Sequence, residues 1–260
     1  MVGREIMRRI LILNAKGGCG KTTIATSLAG YYASQGRVTA LLDHDPQGSS
    51  MKWLSLRDEE HPSIHGIAAY QRRRDVTRAF QLRLPLKTER AIMDVPAGIS
   101  GLQLADYVQQ ADVILVPVLP SPIDIHAAAH FIQDLMLVGK LRKSGARLGV
   151  IANRVRENTL IFKDLERFLG TLKLPLVATL RDSQNHIRAA EQGVAIHELD
   201  KKRTVQDCKR WAPLIDWLES QTERPMQSIL ATDDSSFPEN SVADLPGLID
   251  KPGSARASRL

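Results

Sequence analysis

A glycine-rich segment constrains the fold of this chain more than any other feature of its sequence. Residues 15–23 read AKGGCGKTT, and they stand between a short apolar run at 9–13, RILIL, and a helix-like stretch at 22–35. Glycines allow a backbone to wrap closely around an anion. Successive N–H groups of such a loop, and the start of the helix that follows, then face that anion. The segment therefore predicts a strand–loop–helix unit that cradles phosphate groups.

The end of this loop is similar to a known nucleotide-binding pattern. In the pattern G-x-x-x-x-G-K-[ST], the lysine reaches the β- and γ-phosphates and the hydroxyl ligates Mg²⁺. Lys21 and Thr22 fill these positions, whereas Ala15 stands where the first glycine belongs. The strand before, the helix after and the additional glycine pair supply the context that the strict pattern lacks. The predicted phosphate-binding residues are Lys16, Gly17, Gly18, Cys19, Gly20, Lys21, Thr22 and Thr23.

Along the rest of the chain, short apolar runs alternate with helix-like stretches. The runs are nearly continuous in apolar residues, as in strands that are buried on both faces. This alternation predicts an α/β fold with three layers, α/β/α, around a mostly parallel, twisted sheet. Residues 57–90 are less regular, and we expect a surface excursion there with one helix near 75–82. Strands are predicted at 9–13, 38–43, 91–95, 113–118, 148–153 and 176–180, and helices near 22–35, 47–56, 101–110, 124–140, 159–170, 184–192 and 204–220.

Charge and composition limit the kinds of partner and of site that this chain can have. The net charge of the 260 residues is +6, but the segment from Glu219 onward has seven acidic and four basic residues, so the part before it carries +9. A basic body favours an anionic partner, most often nucleic acid. Two cysteines exclude a disulfide framework and a four-cysteine metal site within one chain. No apolar run reaches the roughly 18 residues that a membrane-spanning helix needs.

The string KGGCGKTT, residues 16–23, resembles the deviant Walker A motif of the ParA/MinD family of ATPases. The resemblance covers about residues 8–220. It implies a ParA-like P-loop ATPase domain over residues 1–220, which binds ATP and Mg²⁺. Residues 221–260 are rich in Ser, Pro, Asp and Gly, and they predict a disordered acidic tail because they cannot bury enough apolar surface.

In that family, a signature lysine lies against the phosphates of the partner subunit's ATP, and Lys16 occupies its position. A cation supplied by the second subunit would make ATP hold two copies together. The segment LLDHDPQG is similar to the family's D-x-D-P-Q motif, which implies that Asp45 orients the attacking water and that Asp43 supports the magnesium shell. Alternation along a strand predicts that the two aspartates project the same way. The implied catalytic residues are Lys16, Lys21 and Asp45.

The segment AIMDVPAG resembles the family's Walker B strand. The resemblance implies that Asp94 holds magnesium through a water, since magnesium keeps much of its hydration. Residues 96–98 would form the loop that senses the γ-phosphate. The implied metal site therefore consists of Thr22, Asp43 and Asp94.

Two further positions have both a functional and a structural interpretation. Asn153 follows a predicted strand, where the family often places Asn against adenine, although Asn is also common in turns at strand ends. Asp124 lies in the segment VPVLPSPIDIHAA, which is similar to a part of the family's dimer interface. We interpret Asp124 as the N-cap of the following helix.

The segment RDSQNHIRAAEQGVAIHELDKK is similar to the C-terminal region in which ParA-type members bind DNA without sequence preference. Contacts to phosphates alone give such binding, and its affinity falls steeply as salt rises. A solvated helix face with interleaved acidic residues is the alternative. A second candidate patch is the arginine run at 72–74. The candidate DNA-binding residues are Arg181, Arg188, Lys201, Lys202 and Arg203.

Four functions fit the resemblance. The first is a ParA-type ATPase that forms an ATP-dependent homodimer, binds nucleoid DNA and is released when an adaptor or ParB-like protein stimulates its slow hydrolysis. Its cargo would be a plasmid, a chromosome, or a protein assembly such as a carboxysome or a chemotaxis cluster. A MinD-like membrane switch needs a C-terminal membrane helix, a nitrogenase-like iron protein needs more cysteines, and metabolic ligases of the superfamily usually lack the signature lysine. We therefore favour the first, with a cytoplasmic, nucleoid-associated location and no membrane partner.

Overall fold

The computed structural model describes residues 7–71, 77–137, 139, 141–156 and 159–220. The predicted tail at 221–260 and the arginine run at 72–74 lie outside these residues.

The described part of the chain forms one seven-stranded sheet in which every strand pair is parallel. The strands are β1 (Arg8–Ile12), β2 (Thr39–Asp43), β3 (His65–Ala68), β4 (Arg90–Asp94), β5 (Val113–Val118), β6 (Arg147–Val155) and β7 (Leu176–Arg181). Their order across the sheet is β3-β2-β4-β1-β5-β6-β7, so β1 lies at the centre. Because all strands point the same way, their carboxyl ends share one edge, where ligands bind in open α/β sheets.

Helices cover both faces of this sheet, which confirms the predicted three-layer α/β fold. They are α1 (Lys21–Ser34), α2 (Ser49–Ser55), α3 (Arg78–Gln81), α4 (Gly101–Gln110), α5 (Pro122–Leu137), α6 (Leu141–Ser144), α7 (Leu160–Thr171), α8 (Gln184–Glu191) and α9 (Lys201–Glu219). Alternate residues of β1 enter two separate apolar clusters. Ile10 and Ile12 pack with residues of α1 and α9, whereas Leu11 packs with residues of α4, α5 and α7. None of the helices described is both long and apolar enough to cross a membrane.

The region 57–90 departs from the predicted surface excursion, because β3 adds an edge strand to the sheet. It pairs with β2 in a register that sets Ala68 beside Asp43. The sequence HGIA has no apolar run, and only Ile67 of the four is buried. An exposed edge strand of this length has little of the hydrophobic pattern that marks a buried strand.

Helix α9 begins three residues before its predicted start at 204, because Asp200 caps it. The Asp200 carboxylate accepts a hydrogen bond from the backbone N–H of Lys202 at 2.9 Å, which is the standard contact of an acidic N-cap. The basic residues 201–203 therefore lie in the first turn of this helix.

Helix α1 passes so close to the segment before α9 that no side chain fits at Gly30. A Cβ at this position would lie 2.5 Å from the Cβ of Ala195 and 3.0 Å from Oε2 of Glu198. Ala195 is fully buried. Glu198 is fixed by a buried pair with Arg57, whose Nη2 lies 2.5 Å from Oε1. Relief of this overlap would therefore require buried, packed groups to shift.

We predict that Gly30→Ala lowers the free energy of unfolding by about 1–3 kcal/mol, because overpacking outweighs the gain in helix propensity. Gly170→Ala in α7 is the matched control, since nothing lies within 4 Å of its Cβ position. The control should be neutral or slightly stabilising in the same urea titration. Equal stability of the two variants would contradict the close packing at Gly30.

Candidate functional site

The phosphate loop between β1 and α1 has the backbone that its glycines were expected to allow. Gly18 and Gly20 have positive φ angles of 76° and 95°, which side-chain-bearing residues rarely adopt. At Gly20 a Cβ would also lie 2.2 Å from Nδ2 of Asn153. Gly20 precedes α1 and provides no side-chain cap. The first N–H groups of α1 are therefore available to phosphate oxygens.

Two buried carboxylates meet beside this loop, at the ends of β2 and β4. Asp43 and Asp94 are direct partners in the register of these strands, and both are buried. The Ser50 hydroxyl donates to Oδ2 of Asp94 at 2.7 Å, and Thr22 also makes a side-chain hydrogen bond to Asp94. The structure thus brings together the three residues of the predicted metal site.

The electrostatics of this pair favour a bound cation. Burial, aided by the Asp43 carboxylate, raises the pKa of Asp94 to about 6, against the hydrogen bonds from Ser50 and Thr22 and the charge of Lys21. Burial also raises the pKa of Asp43. Buried carboxylates gain when a cation neutralises them. Magnesium prefers oxygen ligands and keeps several waters, so the oxygens of Thr22, Asp43 and Asp94 fit this ion.

Asp45 lies in the turn after β2, because the strand ends at Asp43. Its Oδ1 accepts the N–H of Gln47 at 2.9 Å, and its own N–H donates to Oδ1 of Asp43 at 3.0 Å. Strand alternation therefore does not set the direction of Asp45, contrary to the sequence-based argument. The hydrogen-bonded turn holds the Asp45 backbone against the Asp43 carboxylate, and Asp45 is half-buried.

The two lysines of the loop have different surroundings. Lys21 is buried, and its Nζ donates to the carbonyl oxygen of Lys16 at 3.2 Å, within the loop. The Lys16 side chain is 38% exposed, and its Nζ lies 2.6 Å from Oδ1 of Asp124. The backbone N–H of Lys16 donates to Oδ1 of Asn14 at 3.1 Å. The Lys21 ammonium therefore lies inside the loop, and the Lys16 ammonium lies at its surface.

The start of α5 corrects the interpretation of Asp124. Helix α5 begins at Pro122, and the Ser121 hydroxyl accepts the N–H of Asp124 at 3.2 Å. Ser121 thus occupies the capping position, and Asp124 lies in the first turn. The pattern S-x-x-D, with proline at the first helical position, is an N-terminal signature that assigns the cap to the serine.

The loop after β4 touches the phosphate loop directly. Gly98 has a φ of 75°, and its N–H donates to the carbonyl oxygen of Ala15 at 2.9 Å. The predicted γ-phosphate sensor at 96–98 is therefore linked to the backbone that would hold the phosphates.

A cavity of about 470 Å³ opens beside the phosphate loop, between the ends of β6 and β7 and helix α8. Asn153 lies on its wall and donates from Nδ2 to the carbonyl oxygen of Cys19 at 2.8 Å. Arg181, a candidate for DNA contact, also lines the cavity, where its guanidinium binds the buried carboxylate of Asp207 through Nε and Nη2. The lining residues are Thr23, Asn153, Arg154, Arg181, Asp182, Ser183, His186, Ile187, Ala190 and Glu191.

The other four candidate DNA-binding residues form an exposed basic cluster, defined as Arg188, Lys201, Lys202 and Arg203. Asn185 joins the two helices that carry them. Its Nδ2 donates to the carbonyl oxygen of Arg203 at 3.1 Å, and its Oδ1 accepts from Arg188 Nη1 at 3.5 Å. The cluster thus spans α8 and the first turn of α9, whereas Arg181 points into the cavity.

Sequence reasoning missed three polar residues that support the site. Ser50 binds Asp94, Asp207 holds Arg181, and Asn14 ties the phosphate loop to the carbonyl oxygen of Pro117 at 2.7 Å. Asn14 carries a sequence signal, since it stands between the first strand and the glycines. Ser50 and Asp207 carry none, because their partners lie 44 and 26 residues away.

The sequence matches those of known proteins over most of its length. Residues 10–196 match the model of the CobQ/CobB/MinD/ParA nucleotide-binding domain family. The chain is 27% identical over 193 residues to the maintenance of carboxysome distribution protein A of Halothiobacillus neapolitanus, a match that covers 73% of this chain and 87% of that protein. It is 30% identical over 204 residues to the protein of the same name from Gloeobacter kilaueensis, over 73% of this chain and 83% of that one.

A solved structure has the same fold. The septum site-determining protein MinD from Pyrococcus horikoshii, complexed with Mg-ADP, superposes with a TM-score of 0.60 at 15% identity, covering 83% of this chain and 97% of that one.

We predict that Asp94→Asn stabilises the protein at pH 7.5 when nucleotide and magnesium are absent. The folded pKa of about 6 exceeds the unfolded value of about 3.9. The folded state therefore binds the proton more tightly, and stability falls as pH rises from about 4 to about 6. The amide has no charge to bury, so the gain should be on the order of 2 kcal/mol at pH 7.5 and should vanish near pH 4.

Urea titrations in EDTA at both pH values measure this gain. Asp106→Asn, on the exposed face of α4, is the control and should show no such pH dependence. A gain for Asp94→Asn that stays the same at pH 4 would show that the carboxylate carries no burial penalty.

Proposed function

The chain belongs to the CobQ/CobB/MinD/ParA family of nucleotide-binding domains, and on that premise we propose that it is a ParA-type ATPase that positions a cargo along DNA. Two ATP-bound copies would form a dimer, bind nucleoid DNA without sequence preference, and separate when a partner protein stimulates hydrolysis. The domain division near residue 220 and the cytoplasmic, nucleoid-associated location belong to the same proposal.

One observation carries this proposal: the two lysines of the phosphate loop lie in different surroundings. Lys21 is buried inside the loop, where it can neutralise the phosphates of its own nucleotide. Lys16 is partly exposed at the loop surface, where it can reach a nucleotide bound by a second copy. A cation that acts across an interface makes dimerisation depend on ATP.

We assign the remaining steps to residues gathered at the same edge of the sheet. Magnesium, when bound, would neutralise phosphate charge, and Thr22, Asp43 and Asp94 would hold it. Asp45 would orient the attacking water, with its carboxylate fixed by the N–H of Gln47. The loop at 96–98 would respond to the γ-phosphate through its contact with Ala15. Slow hydrolysis follows if this arrangement is completed only in the dimer.

The cavity beside the loop is the proposed site of the adenine base. Its volume of about 470 Å³ suits a nucleoside, and Thr23 and Asn153 connect it to the phosphate loop. A planar guanidinium stacks well on aromatic rings. Because Asp207 fixes Arg181 at the wall, we propose that Arg181 contacts the base and not DNA.

DNA would bind at the basic cluster of α8 and α9. Its exposed cations, on a body of charge +9, can contact phosphates, and such contacts carry no sequence information. For the cargo we favour a large protein assembly, because the two relatives that match 73% of this chain are both named for carboxysome distribution. An adaptor protein would link the ATPase to that cargo.

We predict that the protein is retained on non-specific DNA with ATP and magnesium and released with ADP. At about 50 mM salt, immobilised DNA should hold the ATP form, and retention should fall by orders of magnitude by about 200 mM. Lys16→Ala should lose both the ATP-dependent dimer and the ATP-dependent retention. Surface plasmon resonance measures retention, and analytical ultracentrifugation measures the dimer. Equal retention with ATP and with ADP would rule out the mechanism.

A charge-matched pair of triple variants locates the DNA surface in the same experiment. Changing Lys201, Lys202 and Arg203 to alanine should remove retention and leave the ATP dimer intact. The control changes Lys163, Arg167 and Lys173, which are exposed elsewhere, and should retain most binding.

We predict that Asp45→Ala abolishes turnover and accumulates the ATP-bound dimer on DNA. Without its carboxylate, the attacking water loses its orientation while the phosphate loop remains unchanged. Phosphate release assays and sedimentation in ATP check both parts. Normal turnover by the variant would reassign the water-orienting role to another residue.

A further inference from the structure

The face that carries the basic cluster also exposes apolar side chains. Val205 is 45% exposed and follows Lys201 and Lys202 along α9, at spacings of four and three residues that share one helix face. Ile187, next to Arg188 in α8, is 51% exposed. Phosphate groups of DNA engage cations and hydrogen-bond donors, but they do not cover apolar side chains. This face therefore suits a ligand that carries carboxylates together with apolar side chains.

The cations of the cluster are open to such a ligand. Lys201 and Lys202 have no carboxylate partner among the residues that the structure describes. Nε of Arg203 lies 4.0 Å from Oδ2 of Asp200, and both side chains are exposed. A surface pair of this kind contributes little, so the cluster keeps most of its positive charge.

The sequence beyond Ser220 carries the complementary groups. Residues 225–250, which lie outside the part of the chain that the structure describes, contain five carboxylates and no Lys, Arg or His. Large apolar residues are interspersed among them. The carboxylates are those of Asp233, Asp234, Glu239, Asp244 and Asp250, and the apolar residues include Phe237, Val242, Leu245, Leu248 and Ile249.

Two arginines fix the point at which the chain leaves α9. Arg147 donates from Nη1 to the carbonyl oxygen of Ser220 and from Nη2 to that of Trp217, both at 3.0 Å. Nη2 of Arg90 lies 2.8 Å from Oε2 of Glu219. The chain therefore leaves the sheet region at the opposite end of α9 from the basic cluster.

The segment is long enough to return along α9. This helix has 19 residues, so it is about 28 Å long at a rise of about 1.5 Å per residue. The thirteen residues from Ser220 to Asp233 span up to about 43 Å when extended, at about 3.3 Å per residue. The carboxylates from Asp233 onward can thus reach the first turn of the helix that precedes them.

We propose that residues 225–250 dock on the basic cluster of their own chain and compete there with DNA. This proposal rests on the proposed function, because the same cations would contact DNA. A tethered ligand has an effective concentration on the order of 1 mM. A segment that binds with a dissociation constant of about 0.1 mM would thus lower the affinity for DNA of any sequence about tenfold.

The test compares two variants of the full chain that have the same change in charge. The tail variant carries Asp233→Asn, Asp234→Asn and Glu239→Gln. The control variant removes exposed carboxylates from α4, α5 and α7, which cover the opposite face of the sheet from α9. Its substitutions are Asp106→Asn, Asp134→Asn and Glu166→Gln.

Loss of the three carboxylates should largely undock the segment, since each surface charge pair contributes about threefold to an equilibrium constant. Fluorescence anisotropy with non-specific DNA, magnesium and a non-hydrolysable ATP analogue should show about tenfold tighter binding by the tail variant. The control variant should gain less than about twofold, because charges more than about 10 Å apart are largely screened at 0.1 M salt. Equal gains by the two variants would overturn the proposal.

Cross-linking measures the docking without DNA. A carbodiimide joins a carboxylate to an amine that it contacts, and mass spectrometry identifies the pair. In the wild type, residues 233–239 should be linked to Lys201 or Lys202 far more than to the exposed Lys163 and Lys173. About 1 M salt should remove these links, because it screens charge pairs. A pattern without this preference would contradict the docking.

A mixture of unlabelled and heavy-nitrogen-labelled protein decides which chain supplies the segment. Links within chains of one isotope support docking on the same chain, whereas links between the two isotopes would overturn it and assign the face to a second copy. If the wild type and the tail variant both fail to bind DNA while the links form, the proposed function fails and the docking stands. If DNA binding depends on ATP but the links are missing, the docking alone fails.

Discussion

The parallel direction of all seven strands is the constraint on which the rest of this structure depends. It brings the carboxyl ends of β1, β2, β4, β5 and β6 to one edge, and each end delivers a different part of the site. The phosphate loop follows β1, and the carboxylates of Asp43 and Asp94 lie side by side because β2 and β4 are neighbours in register. The loop after β5 brings α5 to the phosphate loop, and the end of β6 places Asn153 against Cys19. A single mispaired strand would separate these groups.

The charged and polar groups at this edge suit one bound cation and one bound anion. Burial disfavours the ionised forms of Asp94 and Asp43. The N–H groups of the loop and the Lys21 ammonium instead attract a bound anion. Magnesium and a triphosphate complement both sets at once, since the metal neutralises the carboxylates and the phosphates engage the loop. Binding of both would thus offset the electrostatic cost of burying these carboxylates.

Asp207 connects the proposed base cavity with the proposed DNA surface. This buried carboxylate on α9 binds Arg181 in the cavity, Ser183 and Asn185. Asn185 in turn touches both Arg188 and Arg203 of the basic cluster. One set of hydrogen bonds therefore links the wall of the cavity to α8 and α9. Arg181 and Arg188 belong to one sequence segment but have different surroundings. Arg181 is the last residue of a strand, whereas Arg188 lies on an exposed helix face.

The sequence by itself determined the α/β class, six of the strands and the phosphate loop. Continuous apolar runs and glycine-rich loops are local patterns, and their physical meaning does not depend on distant residues. The edge strand β3 was not predictable, because a four-residue strand with one buried residue shows no hydrophobic pattern in the sequence. Only the tertiary structure decided that Asp124 receives Lys16, that Ser50 supports Asp94, and that Arg181 faces a cavity. Each of these contacts joins residues far apart in the chain, and which cation meets which carboxylate is fixed by strand order and helix packing, not by neighbouring sequence.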